Sequence, residues 1–112
     1  MHADSVHQGI GLPQGYSGKD VYIGVTDWGF DYGHPMFYDT LLTESRVYAA
    51  WDQYKQVGNL PVGQTYGVEY DTPAELAAAE TDTSNIYSHH THGTHVAGIA
   101  GGSGAGSVFR GF

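Results

Sequence analysis

Val21-Tyr22-Ile23-Gly24-Val25-Thr26-Asp27-Trp28-Gly29-Phe30 is the stretch on which the reading of this chain turns. Val21 to Thr26 is a short β-branched and aromatic run, preceded by polar Lys19-Asp20 and closed by an acidic residue and a glycine. Its apolar residues fall on both faces instead of alternating. That pattern predicts a strand covered on both sides, as in a parallel sheet. A strand ending on Asp27 places a carboxylate at the C-terminal edge of such a sheet, where open α/β folds build their sites. A turn-rich stretch, Asp31 to Pro35, follows at once. The expectation is an α/β fold with Asp27 at its working edge.

The second informative stretch is His92-Gly93-Thr94-His95-Val96-Ala97-Gly98-Ile99-Ala100-Gly101-Gly102. It has helical length but poor propensity, since a mid-helix Gly costs about 1 kcal/mol relative to Ala. A helix studded with Gly and Ala predicts close neighbours, hence a buried helix with a packing reason for Gly98. Residues 45–52 make a second plausible strand. Residues 3–18, with His7, Gly9, Gly11, Pro13 and Gly15, predict an irregular leader without a regular element. From 55 to 85 the chain is polar and turn-rich. Only Thr72 to Glu80 stands out there, as a short helix with Thr72 as N-cap, Pro73 at its first position and Glu75 closing a capping box. Residues 53–88 are read as a surface insertion within a single unit spanning 1–112.

Composition narrows the function classes. A length of 112 residues is that of one small domain. A formal net charge of −8, with four Lys and Arg in all, argues against nucleic acid and against anionic membrane surfaces. No apolar run approaches the roughly 20 residues of a membrane helix. Met1-His2-Ala3-Asp4 is polar, so no signal peptide is visible. Without cysteine there is neither a disulfide framework nor a thiolate site.

Taken singly, the candidate residues have bland readings: an Asp at a strand end beside Gly is a turn-former, and a lone His is a structural one. Taken together they do not. Asp27-Trp28-Gly29 with His34-Pro35 downstream, and then His92 to Gly98, resemble the catalytic-Asp and catalytic-His segments of the subtilases, the subtilisin-like serine proteases. The two segments stand in that family's order, Asp before His, and the family's full order Asp…His…Ser separates it from the chymotrypsin-like and α/β-hydrolase arrangements. The resemblance implies an α/β domain with a parallel sheet and flanking helices, Asp27 as the triad carboxylate and His92 as general base. A Ser hydroxyl is a weak nucleophile and must lose its proton to a neutral imidazole as it attacks. A carboxylate on the other ring nitrogen enforces the right tautomer. His95 and His34 are read as structural. His89, His90, His92 and His95 lie within seven residues, a density that raises a zinc site, but the i, i+3 spacing on the helix and the lack of Cys disfavour it. No residue is assigned as a metal ligand.

The departures from the family pattern are as informative. No Gly-Thr-Ser nucleophile segment is present; the only Gly-Thr, at 93–94, is followed by His95. The Asn donor of an oxyanion hole has no counterpart either. The chain is therefore read as an N-terminal part of a catalytic domain, an incomplete fold that does not cleave peptides alone. Trp28 stands where the family usually has Ser or Thr, which removes a hydroxyl that would support the carboxylate. Met36 stands where calcium-binding members place an Asp ligand, so no cofactor is expected in this segment, and calcium belongs to the full-length parent if anywhere. Half of a parallel sheet leaves an open edge, which predicts self-association. The parent is expected to be secreted, cell-surface or periplasmic and to act on polypeptides. A non-catalytic peptide-binding domain on the same fold is the alternative.

Overall fold

The computed structural model describes residues 3–84, 90–107 and 111. Its regular elements are helix α1 (Ala3–Gln8), a 3₁₀ turn (Pro35–Phe37), strands β1 (Ala50–Asp52) and β2 (Val68–Tyr70), and helices α2 (Pro73–Ala79) and α3 (His92–Gly101). The class is mixed α/β. The sheet among the described residues is one antiparallel pair, with Trp51 opposite Glu69 and Ala50 opposite Tyr70. No described helix is long and apolar enough to cross a membrane.

Helix α2 forms as its sequence dictates. The Thr72 hydroxyl accepts from the Glu75 amide, and the Glu75 carboxylate accepts from the Thr72 hydroxyl and the Asp71 amide. Pro73 occupies the first turn, where its missing N–H is no loss. The helix delivers Leu76 into a small core with Tyr32, Val68 and Tyr70, against which Phe30, Val47, Ala50 and Ala79 pack. Three of those four core residues are also on or beside the elements that follow β1, so much of the described core comes from residues 68–76.

Four expectations change. Residues 21–26 form no strand, and no parallel ladder occurs among the described residues. A strand exists through its neighbours, because its N–H and C=O groups need partners, and no described segment pairs with this one. The strand expected at 45–52 shrinks to Ala50–Asp52, and its partner lies further along the chain. The leader is not wholly irregular: Ala3–Gln8, free of Gly and Pro, forms α1 with Asp4 in its first turn, which is favourable to the helix dipole. Finally, α3 is not a buried helix among the described residues. Only Gly93 and Thr94 are buried, Val96 and Ile99 are exposed, and a Cβ on Gly98 would meet nothing within 4 Å.

Candidate active site

The site is assembled from one tight turn and one helix start. Gly29 has φ +75°, in the left-handed region that Gly adopts without penalty. The turn it makes aims two successive amides at the buried carboxylate of Asp82: Gly29 N–H to Oδ2 at 3.0 Å and Phe30 N–H to Oδ1 at 3.0 Å. Asp82 also accepts from the Ser84 hydroxyl and pairs with His90 Nδ1 at 3.0 Å. Thr83, between them, is held by Asp52 at the end of β1 through its amide (2.9 Å) and hydroxyl (2.7 Å). Residues 82–84 thus join β1, the turn after Asp27 and the approach to α3.

The other side of the turn is held by α3. The first N–H groups of a helix lack intrahelical partners. Here Gly93 N–H donates to the Trp28 carbonyl at 2.8 Å and Thr94 N–H to the Gly29 carbonyl at 3.2 Å. The Thr94 hydroxyl accepts from the Asp31 amide at 2.8 Å. Position 93 requires Gly because a Cβ there would lie 2.7–2.8 Å from three ring carbons of Phe30. The His-Gly-Thr sequence is therefore explained residue by residue: Gly93 permits contact, and Thr94 fastens it.

The consequence is that Asp27 and His92, 65 residues apart in sequence, meet with Oδ1 and Nδ1 2.7 Å apart. Asp27 is largely covered, with 11% of its side chain exposed, whereas His92 is 53% exposed. Desolvation pushes the Asp27 carboxyl up, but the Trp28 amide and the hydrogen bond and charge of His92 together outweigh it, leaving the group below the ordinary carboxylate range. Asp27 is thus ionised near neutrality and can only accept hydrogen bonds. The proton on neutral His92 must therefore sit on Nδ1, which leaves the Nε2 lone pair available on the exposed side of the ring.

Trp28 supports the pair more than its sequence implied. Its amide donates to Asp27 Oδ1 at 2.7 Å, a main-chain bond that does not depend on the side chain at position 28. Its indole stacks on the His92 ring, with centroids 4.6 Å apart and planes 14° from parallel.

The remaining histidines sort as follows. His34 is structural: its Nδ1 accepts from the Met36 amide at 3.2 Å and caps the 3₁₀ turn. His95 was expected to hydrogen-bond within the core; instead it is exposed, with no side-chain hydrogen bond among the described residues, because that side of α3 is uncovered. His89 lies outside the described residues. His90 and His92 each engage a different carboxylate, and no group of three His, Cys, Asp or Glu side chains among the described residues is arranged to hold a metal. At Met36 the donor is a thioether, unsuited to calcium, which takes oxygen ligands. The side chain instead sits against Gly102, where a Cβ would come 2.7 Å from Met36 Cε.

Sequence reasoning missed Asp82, Ser84, Asp52 and the Trp28 stack. Asp82 and Ser84 lie in the polar, turn-rich stretch and Asp52 at the end of the expected strand 45–52, and no local pattern marks which Asp will be buried against a turn 50 residues away.

The family model described as the subtilase family, peptidase S8, matches residues 18–111. This chain belongs to the subtilase family, a family of serine peptidases acting on polypeptides. No curated protein and no solved structure matches it.

Proposed function

We propose that this chain contributes the Asp–His half of a subtilisin-like catalytic triad, in a parent enzyme that hydrolyses peptide bonds through an acyl-enzyme. The observation that carries the reading is the 2.7 Å contact between Asp27 and His92 Nδ1, with His92 half exposed. In that arrangement Nε2 takes the proton of a Ser hydroxyl as the oxygen attacks the scissile carbonyl, and then gives it to the leaving amine. Asp27 keeps the ring in the productive tautomer and stabilises the imidazolium while it lasts. Neither the Ser nor an oxyanion-hole Asn has a family-like segment within these 112 residues, so the chain alone is inactive.

The same reading places the 21–26 segment in the parallel sheet of a complete catalytic domain, and 53–88 as an insertion relative to compact family members. It makes the parent a secreted or cell-surface protease, with any calcium bound elsewhere than at Met36.

The test is complementation. The pure chain should not hydrolyse a chromogenic peptide. Mixed with a Ser-bearing C-terminal segment of a subtilase domain, it should support labelling of that Ser by a fluorophosphonate, and His92→Ala should abolish the labelling. Removing the base of such a triad costs on the order of 10⁶ in turnover in subtilisin itself. A mixture that folds together yet takes no label would instead favour a peptide-binding domain on a subtilase fold.

A further inference from the structure

One residue touches both members of the pair, and a third group on it holds the residue next to His92. The Trp28 amide donates to Asp27 Oδ1, its carbonyl accepts from Gly93 N–H at 2.8 Å, and its indole lies on the His92 ring. The two main-chain bonds belong to any residue at position 28. The stack belongs to the side chain, and an aromatic there replaces the small hydroxyl residue usual in the family.

The stack bears on a specific weakness of a histidine base. Rotation about the Cβ–Cγ bond of His is soft and roughly two-fold. A half-turn exchanges Nδ1 for Cδ2, so that a carbon faces the carboxylate and Nε2 leaves its line to the nucleophile. His92 is half exposed and, among the described residues, has one side-chain hydrogen bond, to Asp27, to resist this. A near-parallel indole with its centroid 4.6 Å away lies against one face of the ring and opposes any turn out of the stacked orientation. Because the backbones of residues 28 and 93 are bonded to each other, the platform cannot drift from the ring it supports. When His92 takes up a proton, the resulting cation lies face-on to indole, the strongest of the aromatic partners for a cation.

We propose that Trp28 is a positioning residue whose indole holds the His92 imidazole in the orientation that bonds Asp27 and stabilises it when protonated. This rests on the reading of His92 as the general base.

The chain itself provides the first readout. In isotope-labelled protein, with the His92 ring resonances assigned through His92→Gln, the carbon-bound ring protons should be displaced upfield by the indole ring current. The Nδ1–H should give one sharp, far-downfield signal. Trp28→Leu, which keeps bulk but removes the ring, should abolish the displacement and broaden the Nδ1–H signal; Trp28→Phe and Trp28→Tyr should retain that signal. In the complemented enzyme, Trp28→Leu should lower the saturating rate of fluorophosphonate labelling about tenfold while leaving the half-saturating probe concentration unchanged. A folded Trp28→Leu chain with a native Nδ1–H line and a native labelling rate would overturn the proposal. Should Trp28→Leu fail to fold, loss of the signal in folded Phe and Tyr variants would overturn it equally. Asp27→Asn separates the two ideas: if it leaves the Nδ1–H signal in place, the triad reading itself fails, whatever Trp28 does.

Discussion

At the scale of single residues, the pair Asp27–His92 is held by groups that do no chemistry. Gly93 is the sharpest case. Its missing side chain lets the Phe30 ring close over the start of α3, and the contact registers the helix against the turn that carries Asp27. Gly93→Ala forces a methyl group to within 2.8 Å of that ring. Overpacking of this kind costs about 1–3 kcal/mol, so denaturant unfolding should show a lower midpoint with an unchanged slope. An unaltered midpoint would mean that Phe30 gives way freely and that the contact does not set the register. Asp82 acts in the opposite sense, by attraction. Its buried carboxylate gathers two amides, a hydroxyl and an imidazole onto one group.

At the scale of elements, α2 is the part whose local sequence is most self-sufficient. Seven residues are too few for an isolated helix to persist in water, so its capping box matters. Thr72→Ala removes the N-cap and should destabilise the chain by about 1 kcal/mol, read as a fall in melting temperature. The Thr72 hydroxyl and then the Asp71 amide hold the Glu75 carboxyl below its ordinary range. A depressed carboxyl contributes stability above its unfolded-state pKa and loses it as pH falls through the folded value. The penalty of Thr72→Ala should therefore shrink in acid; a penalty independent of pH would show that the Glu75 arm of the box contributes nothing. Helix α3 differs: Thr91 makes no side-chain cap bond, and the amides of Gly93 and Thr94 are satisfied by the turn instead.

At the scale of the whole molecule, the chain is more extended than a closed domain of its size. Its radius of gyration is 15.5 Å, against about 13 Å for a compact chain of 112 residues. No side chain among the described residues is fully buried, and Val21, Tyr22, Ile23 and Tyr48 are exposed. Between residues 21–27 and 46–54 lies a cleft of about 560 Å³ bordered largely by apolar side chains. Such a surface favours association. Sedimentation should show concentration-dependent self-association, weakened when Tyr22 and Ile23 are both changed to Lys. A chain that stays monomeric at every concentration would rule this out.

Local chemistry determined a good deal by itself. The Thr72-Pro73-x-Glu75 spacing spells a helix start that needs no partner from elsewhere, and His92 to Gly101 forms the expected helix. The Asp27-Trp28-Gly29 and His92-Gly93-Thr94 segments pointed to the two residues that meet through their resemblance to the subtilase catalytic segments, and the structure adds why each carries a Gly: Gly29 is left-handed and Gly93 permits contact with Phe30. What the sequence could not show is anything that depends on a neighbour. Whether 21–26 forms a strand depends on a segment to pair with. Whether α3 is buried depends on what lies over Val96 and Ile99. Which carboxylate secures the turn at Gly29 depends on residues 82–84 folding back across more than 50 positions. Burial, pairing and long-range hydrogen bonds are properties of two segments at once, so only the tertiary structure decides them.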